Sequence, residues 1–282
     1  MSAYRCNLVI PGFPKSGTSS FHQYLAQHPA ICMSAPKEIH HFARSDRWAR
    51  GPDGHNAIFG HAMGAERYFG ESSTTYCIWP VAAERIAATL EGPKVIILMR
   101  HPVERTLSHY RWMHRLGLES RPLREALRAD GDSFHPDRDV KGNYQGYLAF
   151  SRYADHVPRW EDLFAAEDLL LVSASDLADS PETTLARVHE FLGLPGQTLV
   201  KTEQINRTRD QQPVTYRRWA SAMRAAIPRG FVGTLRRGPG LAELWSRASR
   251  PGVREPPPIT EADRAWLDYT LESHVRFYEE RS

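Results

Sequence analysis

A glycine-rich segment near the start of the chain has the composition of an anion site. Residues 12–20 read GFPKSGTSS and combine two glycines, a lysine and several hydroxyl side chains. They lie between a short apolar run and a helix-like pattern, where backbone N–H groups and the helix dipole converge on a negative charge. The segment therefore predicts a cradle for a phosphate or a similar anion, although an ordinary strand-to-helix turn can have the same composition.

The position of the lysine separates this cradle from the phosphate loop of nucleoside triphosphatases. In that loop the pattern Gx4G is followed directly by Lys and then by Ser or Thr. Gly12 and Gly17 have the required spacing, but the next residue is Thr18. The lysine lies inside the loop, as Lys15. The sequence thus argues against a triphosphatase.

A second anion site is predicted after the apolar run 94–99. Arg100 ends this run, and Ser108 follows eight residues later within a helical pattern. A guanidinium at a strand end and a hydroxyl on the following helix can both reach one phosphate. Alone, such a pair would more often be a solvated helix start. Together with the first loop it suits a nucleotide that carries phosphates at both its 5′ and 3′ ends.

A third segment, residues 36–42 (PKEIHHF), contains side chains able to accept a proton. Glu38 and His40 are both candidates for a general base, and the ordinary pKa of a histidine suits that task well. An exposed loop can have the same composition. His40, His41, His55 and His61 lack the close spacing of zinc ligands, so the sequence predicts no metal site.

The elements that must position these segments alternate between strands and helices. This order predicts an α/β protein with a P-loop-like three-layer fold, in which helices flank a central, mostly parallel sheet. Ligands of such sheets bind at the carboxyl ends of the strands. The predicted strands cover 7–11, 94–99 and 169–172, and the predicted helices cover 18–28, 103–112, 153–164 and 181–192.

The length of 282 residues fits one domain over 1–282. Residues 213–258 form a basic stretch interrupted by Gly and Pro, which we interpret as a flexible lid or excursion. A C-terminal helix is expected over 260–282, beginning at the capping pattern Thr260-x-x-Asp263.

The bulk composition excludes some functions. Lys and Arg number 36 against 33 Asp and Glu, a balance that does not favour nucleic-acid binding. Three separated cysteines indicate neither a disulfide framework nor a zinc cluster. The sequence shows no signal peptide and no apolar stretch as long as a membrane span, so we expect a cytoplasmic protein.

The two anion segments together resemble the sulfotransferase family, whose donor is 3′-phosphoadenosine-5′-phosphosulfate (PAPS) and whose nucleotide product is adenosine 3′,5′-bisphosphate. The resemblance implies that Lys15 contacts the 5′-phosphosulfate and stabilises charge on the bridging oxygen, without a metal ion. Arg100 and Ser108 match the 3′-phosphate motif. The remaining cradle residues implied are Ser16, Gly17, Thr18, Ser19 and Ser20.

The third segment is similar to the Glu-x-His-Phe pattern of heparan-type and many bacterial small-molecule sulfotransferases. This likeness assigns Glu38 as the general base and His40 as its neighbour. Residues 70–76 resemble a further family segment but have Ser72 where a lysine usually stands, which weakens the inference of an anionic polysaccharide acceptor. Arg207 and Arg209 lie where the family often closes a basic loop over the nucleotide.

The resemblance leaves the acceptor open, since acceptor pockets are built from loops. A hydroxyl of a small molecule, a natural product, a lipid-linked compound or a sugar fits equally well, and the oligomeric state cannot be read. Two alternatives remain at this point. One is a P-loop kinase for a small metabolite, and the other is a non-catalytic nucleotide-binding module on the same fold.

Overall fold

The computed structural model describes residues 3–130, 146–199 and 256–282. These residues form a sheet of five parallel strands in the order β2-β3-β1-β4-β5. The α/β class with a parallel central sheet is thereby confirmed. The strands are β1 (Leu8–Ile10), β2 (Ile31–Met33), β3 (Tyr68–Ser72), β4 (Lys94–Met99) and β5 (Leu169–Ser173).

Helices connect the strands and cover the sheet. Short 3₁₀ turns at Ala57–Phe59, Ala149–Ser151 and Ala166–Asp168 complete the regular structure of the described residues. The helices are α1 (Thr18–Leu25), α2 (Ser45–Trp48), α3 (Gly51–Asn56), α4 (Pro80–Thr89), α5 (Pro102–Arg115), α6 (Leu123–Asp130), α7 (Tyr153–Leu163), α8 (Ala174–Asp179), α9 (Pro181–Phe191), α10 (Glu261–Thr270) and α11 (Glu272–Glu279).

Cores lie on both faces of the sheet because β1 is apolar at every position and β4 is apolar at every position after Lys94. Val9 and Val95 pack on one face with α4 and α7, and Leu8 and Ile96 pack on the other with α1 and α9. All four side chains are fully buried, and each contributes about 1.5–3 kcal/mol through burial. A third cluster joins α5, α6 and α10. The two central strands are thus fixed firmly beneath the loops that follow them.

The ends of some elements differ from the sequence-based expectation. Helix α1 ends at Leu25, three residues before the predicted end, and a turn precedes Pro29. The predicted C-terminal helix is two helices that meet at Leu271, whose backbone leaves helical geometry. The capping box between Thr260 and Asp263 is confirmed. Among the described residues, no helix is both long enough and apolar enough to cross a membrane.

Candidate active site

The loop after β1 is held tightly against the neighbouring strand ends. The Phe13 N–H donates to the Leu98 carbonyl at 3.3 Å. A Cβ at Gly12 would lie 2.9 Å from Thr18 Cγ2 and 3.2 Å from the Leu98 nitrogen. Such contacts are too close for any side chain, so the loop can approach β4 only with glycine at this position.

The predicted cradle residues follow this anchor in a strongly curved backbone. Lys15 and Gly17 adopt left-handed conformations with φ of 71° and 82°, a geometry found where successive N–H groups build an anion-binding concavity. Gly17 precedes the first residue of α1. Ser16 and Thr18 are buried, whereas Ser19 and Ser20 lie half-buried in the first turn.

Lys15 lies within a group of positive charges. Burial, together with the charges of Arg100 and Arg105, lowers the pKa of its ammonium to about 8. Its Nζ is 5.1 Å from the centre of the Trp112 ring. A bound anion would relieve this repulsion, so the electrostatics of the loop fit a phosphate or a phosphosulfate.

Arg105, which sequence reasoning did not single out, holds the same loop through a hydrogen bond to its backbone. Its side chain is fully buried, and its Nη1 donates to the Pro14 carbonyl at 3.3 Å. Its Nε donates to Ser151 Oγ at 2.6 Å, and its Nη2 donates to the Tyr147 carbonyl. Arg105 therefore ties the cradle to α5 and to the segment before α7.

The second predicted anion site lies at the end of β4. Arg100 directly follows this strand, and the hydroxyl of Tyr153 donates to its carbonyl at 2.7 Å. Its Nη2 is 4.0 Å from Glu104 Oε2, one turn into α5. Ser108 is half-buried one further turn along the same helix. Arg207 and Arg209 lie outside the described residues, as does most of the predicted lid over 213–258.

Glu38 and His40 lie on the loop that follows β2. Both have positive φ, 56° and 51°, and the Glu38 carboxylate accepts a hydrogen bond from Thr74 Oγ1 at 3.0 Å. Burial raises the pKa of Glu38, but the ammonium of Lys37 at 2.7 Å, His40 and Thr74 together hold it below its usual value. The base candidate is therefore an ionised carboxylate at neutral pH.

His40 is held from two sides. Its Nδ1 lies 2.9 Å from Thr75 Oγ1, and its backbone N–H donates to Ser73 Oγ at 3.0 Å. Burial lowers the pKa of the imidazole, although the charges of Glu38 and Glu71 act in the opposite direction. His40 is thus a neutral ring whose Nε2 lies 3.7 Å from Glu38 Oε2.

The cradle and the base candidate meet through one side chain. Lys37 Nζ lies 2.7 Å from Glu38 Oε1 and 3.5 Å from Thr18 Oγ1. Segments that are separate in sequence therefore form one site at the carboxyl edge of the sheet. The chemistry available there is anion binding next to a proton acceptor.

Comparison with known proteins identifies the family that carries this arrangement. A family model described as "Sulfotransferase domain" matches residues 6–237. The chain belongs to the sulfotransferase domain family. The family predicted from the sequence is confirmed, and neither a small-metabolite kinase nor a non-catalytic module is favoured.

The relatives of this sulfotransferase domain include larger enzymes. Human bifunctional heparan sulfate N-deacetylase/N-sulfotransferase 2 is 26% identical over 191 residues, which are 66% of this chain and 22% of that protein. Mouse heparan sulfate glucosamine 3-O-sulfotransferase 5 is 27% identical over 202 residues, which are 71% of this chain and 57% of that protein. The chain thus spans less than two thirds of the length of either relative.

A solved structure agrees with the fold of the sulfotransferase domain. The crystal structure of a sulfotransferase from Alicyclobacillus acidocaldarius is 26% identical in sequence and superposes with a TM-score of 0.64. The match covers 78% of this chain and 92% of that one.

A buried carboxylate stabilises the loop after β2, which carries Glu38 and His40. Glu71 is fully buried at the end of β3 and accepts hydrogen bonds from Ser73 Oγ at 2.5 Å and from the Tyr76 hydroxyl at 2.8 Å. Ser73 Oγ in turn accepts the His40 N–H, and the Tyr76 hydroxyl accepts the Phe42 N–H at 3.1 Å. Two relays therefore connect one carboxylate, which belongs to the family-like segment 70–76, to the backbone around the base candidate.

The same carboxylate is ionised despite its burial. Burial raises the pKa of Glu71, but His55, 3.5 Å away, and the hydroxyls of Ser73 and Tyr76 outweigh that effect and hold it below the usual value. In the part of the chain that the structure describes, His, Cys, Asp and Glu side chains form no group of three that could hold a metal ion. Independence from metal ions stays a prediction.

Proposed function

We propose that this domain transfers a sulfuryl group from PAPS to an acceptor hydroxyl, with Glu38 as general base. The observation that carries the proposal is the contact of Lys37 with both Thr18 and Glu38. It brings the anion cradle and an ionised carboxylate within the length of one side chain. A nucleophilic hydroxyl between them could lose its proton to Glu38 while it attacks a donor held in the cradle.

The residues present fit this donor. The curved loop and the cluster of Lys15, Arg100 and Arg105 suit the 5′-phosphosulfate, and Arg100 with Ser108 is assigned to the 3′-phosphate. In the reaction the acceptor oxygen forms a bond to sulfur as the bridging S–O bond breaks. The acceptor proton passes to Glu38, and the electron pair of the broken bond stays on the bridging oxygen, where Lys15 stabilises it.

The acceptor is inferred to be a hydroxyl of a small molecule or a sugar. The curated relatives are named for heparan sulfate, but this chain has Ser72 in the segment where a lysine is usual. Ser72 Oγ lies 2.9 Å from His22 Nδ1 and is fully buried. It therefore offers no charge to an anionic polysaccharide. We further infer a reducing, cytoplasmic location, because all three cysteines are free and buried.

Substitution of the two base candidates tests the proposal. Glu38→Gln should lower kcat by roughly 10²-fold or more, the effect expected for loss of a general base, and should keep the affinity for adenosine 3′,5′-bisphosphate. His40→Ala should be milder, since its neutral ring positions the loop. Full activity of Glu38→Gln together with loss of activity in a folded His40→Ala variant would transfer the role of base to His40.

A further inference from the structure

Lys37 joins the anion cradle to the proposed base Glu38, and the proposed reaction gives it no chemical role. Its side chain is 19% exposed, so its ammonium is partly withdrawn from water. The nitrogen lies between a hydroxyl of the donor cradle, Thr18 Oγ1, and an oxygen of the proposed base, Glu38 Oε1. A group that passes from the cradle toward an acceptor held by Glu38 must therefore pass close to this charge.

Lys37 is also accessible to a ligand. It forms part of the wall of an open cleft of about 450 Å³ that lies between α1 and the loop after β2. Ser19 belongs to both the cleft and the cradle, so the cleft extends to the first turn of α1. The remaining lining residues include Gln23, Met33, Ser34 and His61.

Lys37 also brings a positive charge to the neighbourhood of Ser72, a position that itself carries no charge. Ser72 is hydrogen-bonded to His22. His22 and Lys37 line the same cleft, and burial together with the positive charge of Lys37 lowers the pKa of His22 to about 4. The end of β3 carries no cation at residue 72, and Lys37 brings one to the same area from the neighbouring strand end.

We propose that Lys37 is a further catalytic residue, whose ammonium contacts the sulfuryl oxygens during transfer. The inference rests on the proposed function and adds a role to the same site. Lys37 exchanges no proton in this step. The acceptor proton goes to Glu38, and the leaving oxygen is stabilised by Lys15. Lys37 stabilises the charge on the non-bridging sulfuryl oxygens as the group moves between the two.

Comparison of two nucleotides isolates this contact. PAPS carries the sulfuryl group and adenosine 3′,5′-bisphosphate lacks it, so a residue that touches only this group affects binding of the first nucleotide alone. In Lys37→Met, calorimetry without acceptor should show an affinity for PAPS lowered by roughly 10-fold, and an unchanged affinity for the bisphosphate. With acceptor, kcat should fall by roughly 10²-fold.

Three further variants separate the possible explanations. Lys37→Arg keeps the charge and should restore part of the preference for PAPS. Glu38→Gln leaves Lys37 in place and should retain that preference while activity falls. Lys94→Met removes a lysine at the start of β4, where its Nζ pairs with Asp168 at 2.9 Å, and should resemble the wild type in both measurements.

Two results would overturn the assignment. One is Lys37→Met with wild-type affinity for PAPS and wild-type kcat. The other is an equal loss of affinity for both nucleotides, which would make Lys37 part of the nucleotide cradle or of the folded framework. Failure of the proposed function is distinguishable from either, because the wild-type protein would then bind neither nucleotide and transfer no sulfuryl group.

Discussion

The hydrogen-bond network around Glu71 yields a quantitative prediction for the substitution Glu71→Gln. This change keeps the size of the side chain and removes its charge. Glu71 accepts hydrogen bonds from two hydroxyls, those of Ser73 and Tyr76, and both hydroxyls are fully buried. An amide offers one acceptor oxygen and places an NH2 donor where the second acceptor was. Both hydroxyls donate to Oε1, so their bonds can persist in the variant but lose their charge assistance, and the new NH2 group lies against the Tyr76 hydroxyl, which is also 3.0 Å from Oε2.

The cost can be set from the two hydrogen bonds that become neutral. A hydrogen bond to a charged group contributes about 1.5–3 kcal/mol to stability and a neutral one about 0.5–1.5 kcal/mol, so each of the two bonds weakens by about 1 kcal/mol. We expect the free energy of unfolding to fall by about 2 kcal/mol. For 282 residues, with an unfolding entropy of about 2.1 cal/mol/K per residue, that corresponds to a decrease of roughly 3–4 °C in Tm.

Catalysis should suffer in a specific way. The relays from Glu71 end on the N–H groups of His40 and Phe42, so the loop that carries Glu38 loses part of its support. The donor cradle depends on β1, β4 and Arg105 and keeps its own anchors. We therefore expect a reduced kcat at unchanged affinity for adenosine 3′,5′-bisphosphate, measured by single-turnover kinetics and calorimetry below the Tm of the variant.

Glu66→Gln supplies a matched control. Glu66 also accepts two hydrogen bonds, from the N–H groups of Met63 and Gly64, but it is only half-buried and lies before β3 rather than at the carboxyl end of that strand. It should leave kcat unchanged. The reasoning is refuted if Glu71→Gln is as active and as stable as Glu66→Gln, or if it loses nucleotide affinity in the same proportion as kcat.

Three other predictions concern the donor. Because the pKa of Lys15 is lowered to about 8, its ammonium is charged below that pH and neutral above it, so the affinity for adenosine 3′,5′-bisphosphate should fall as pH rises through about 8. Lys15→Arg stays charged and should flatten this pH profile. A flat profile for the wild type would contradict the role of the charge. The wild type should bind the bisphosphate more tightly than AMP, and Arg100→Ala should abolish the difference; equal wild-type affinities would remove the 3′-phosphate assignment. EDTA should leave the rate nearly unchanged, whereas activity restored only by Mg²⁺ or Zn²⁺ would point to a metal-assisted reaction.

Several elements could be predicted from local pattern because their chemistry is local. The strand over 94–99 has the predicted bounds, since its five consecutive apolar residues, 95–99, tolerate burial on both faces of the sheet. β2 and β3 were not predicted, because their own residues carry only a weak strand pattern. β2 has three residues, and β3 contains Gly70 and Glu71, which are unusual within strands. The burial that stabilises them comes from neighbouring strands.

For the candidate site, too, local sequence pattern and tertiary structure decided different properties. The sequence by itself determined which residues are candidates, namely the predicted cradle of residues 12–20, Glu38 and Arg100, because each follows a strand or a strand-like run in a recognisable pattern. Only the tertiary structure decided which of these groups meet and in what charge state. Thr74 and Thr18 reach the Glu38–Lys37 pair across 36 and 19 positions, and no local pattern encodes such distances. The parallel sheet brings these groups together because it aligns the carboxyl ends of its strands, and burial together with the neighbouring charges there shifts the pKa of Lys15, Glu38 and His40.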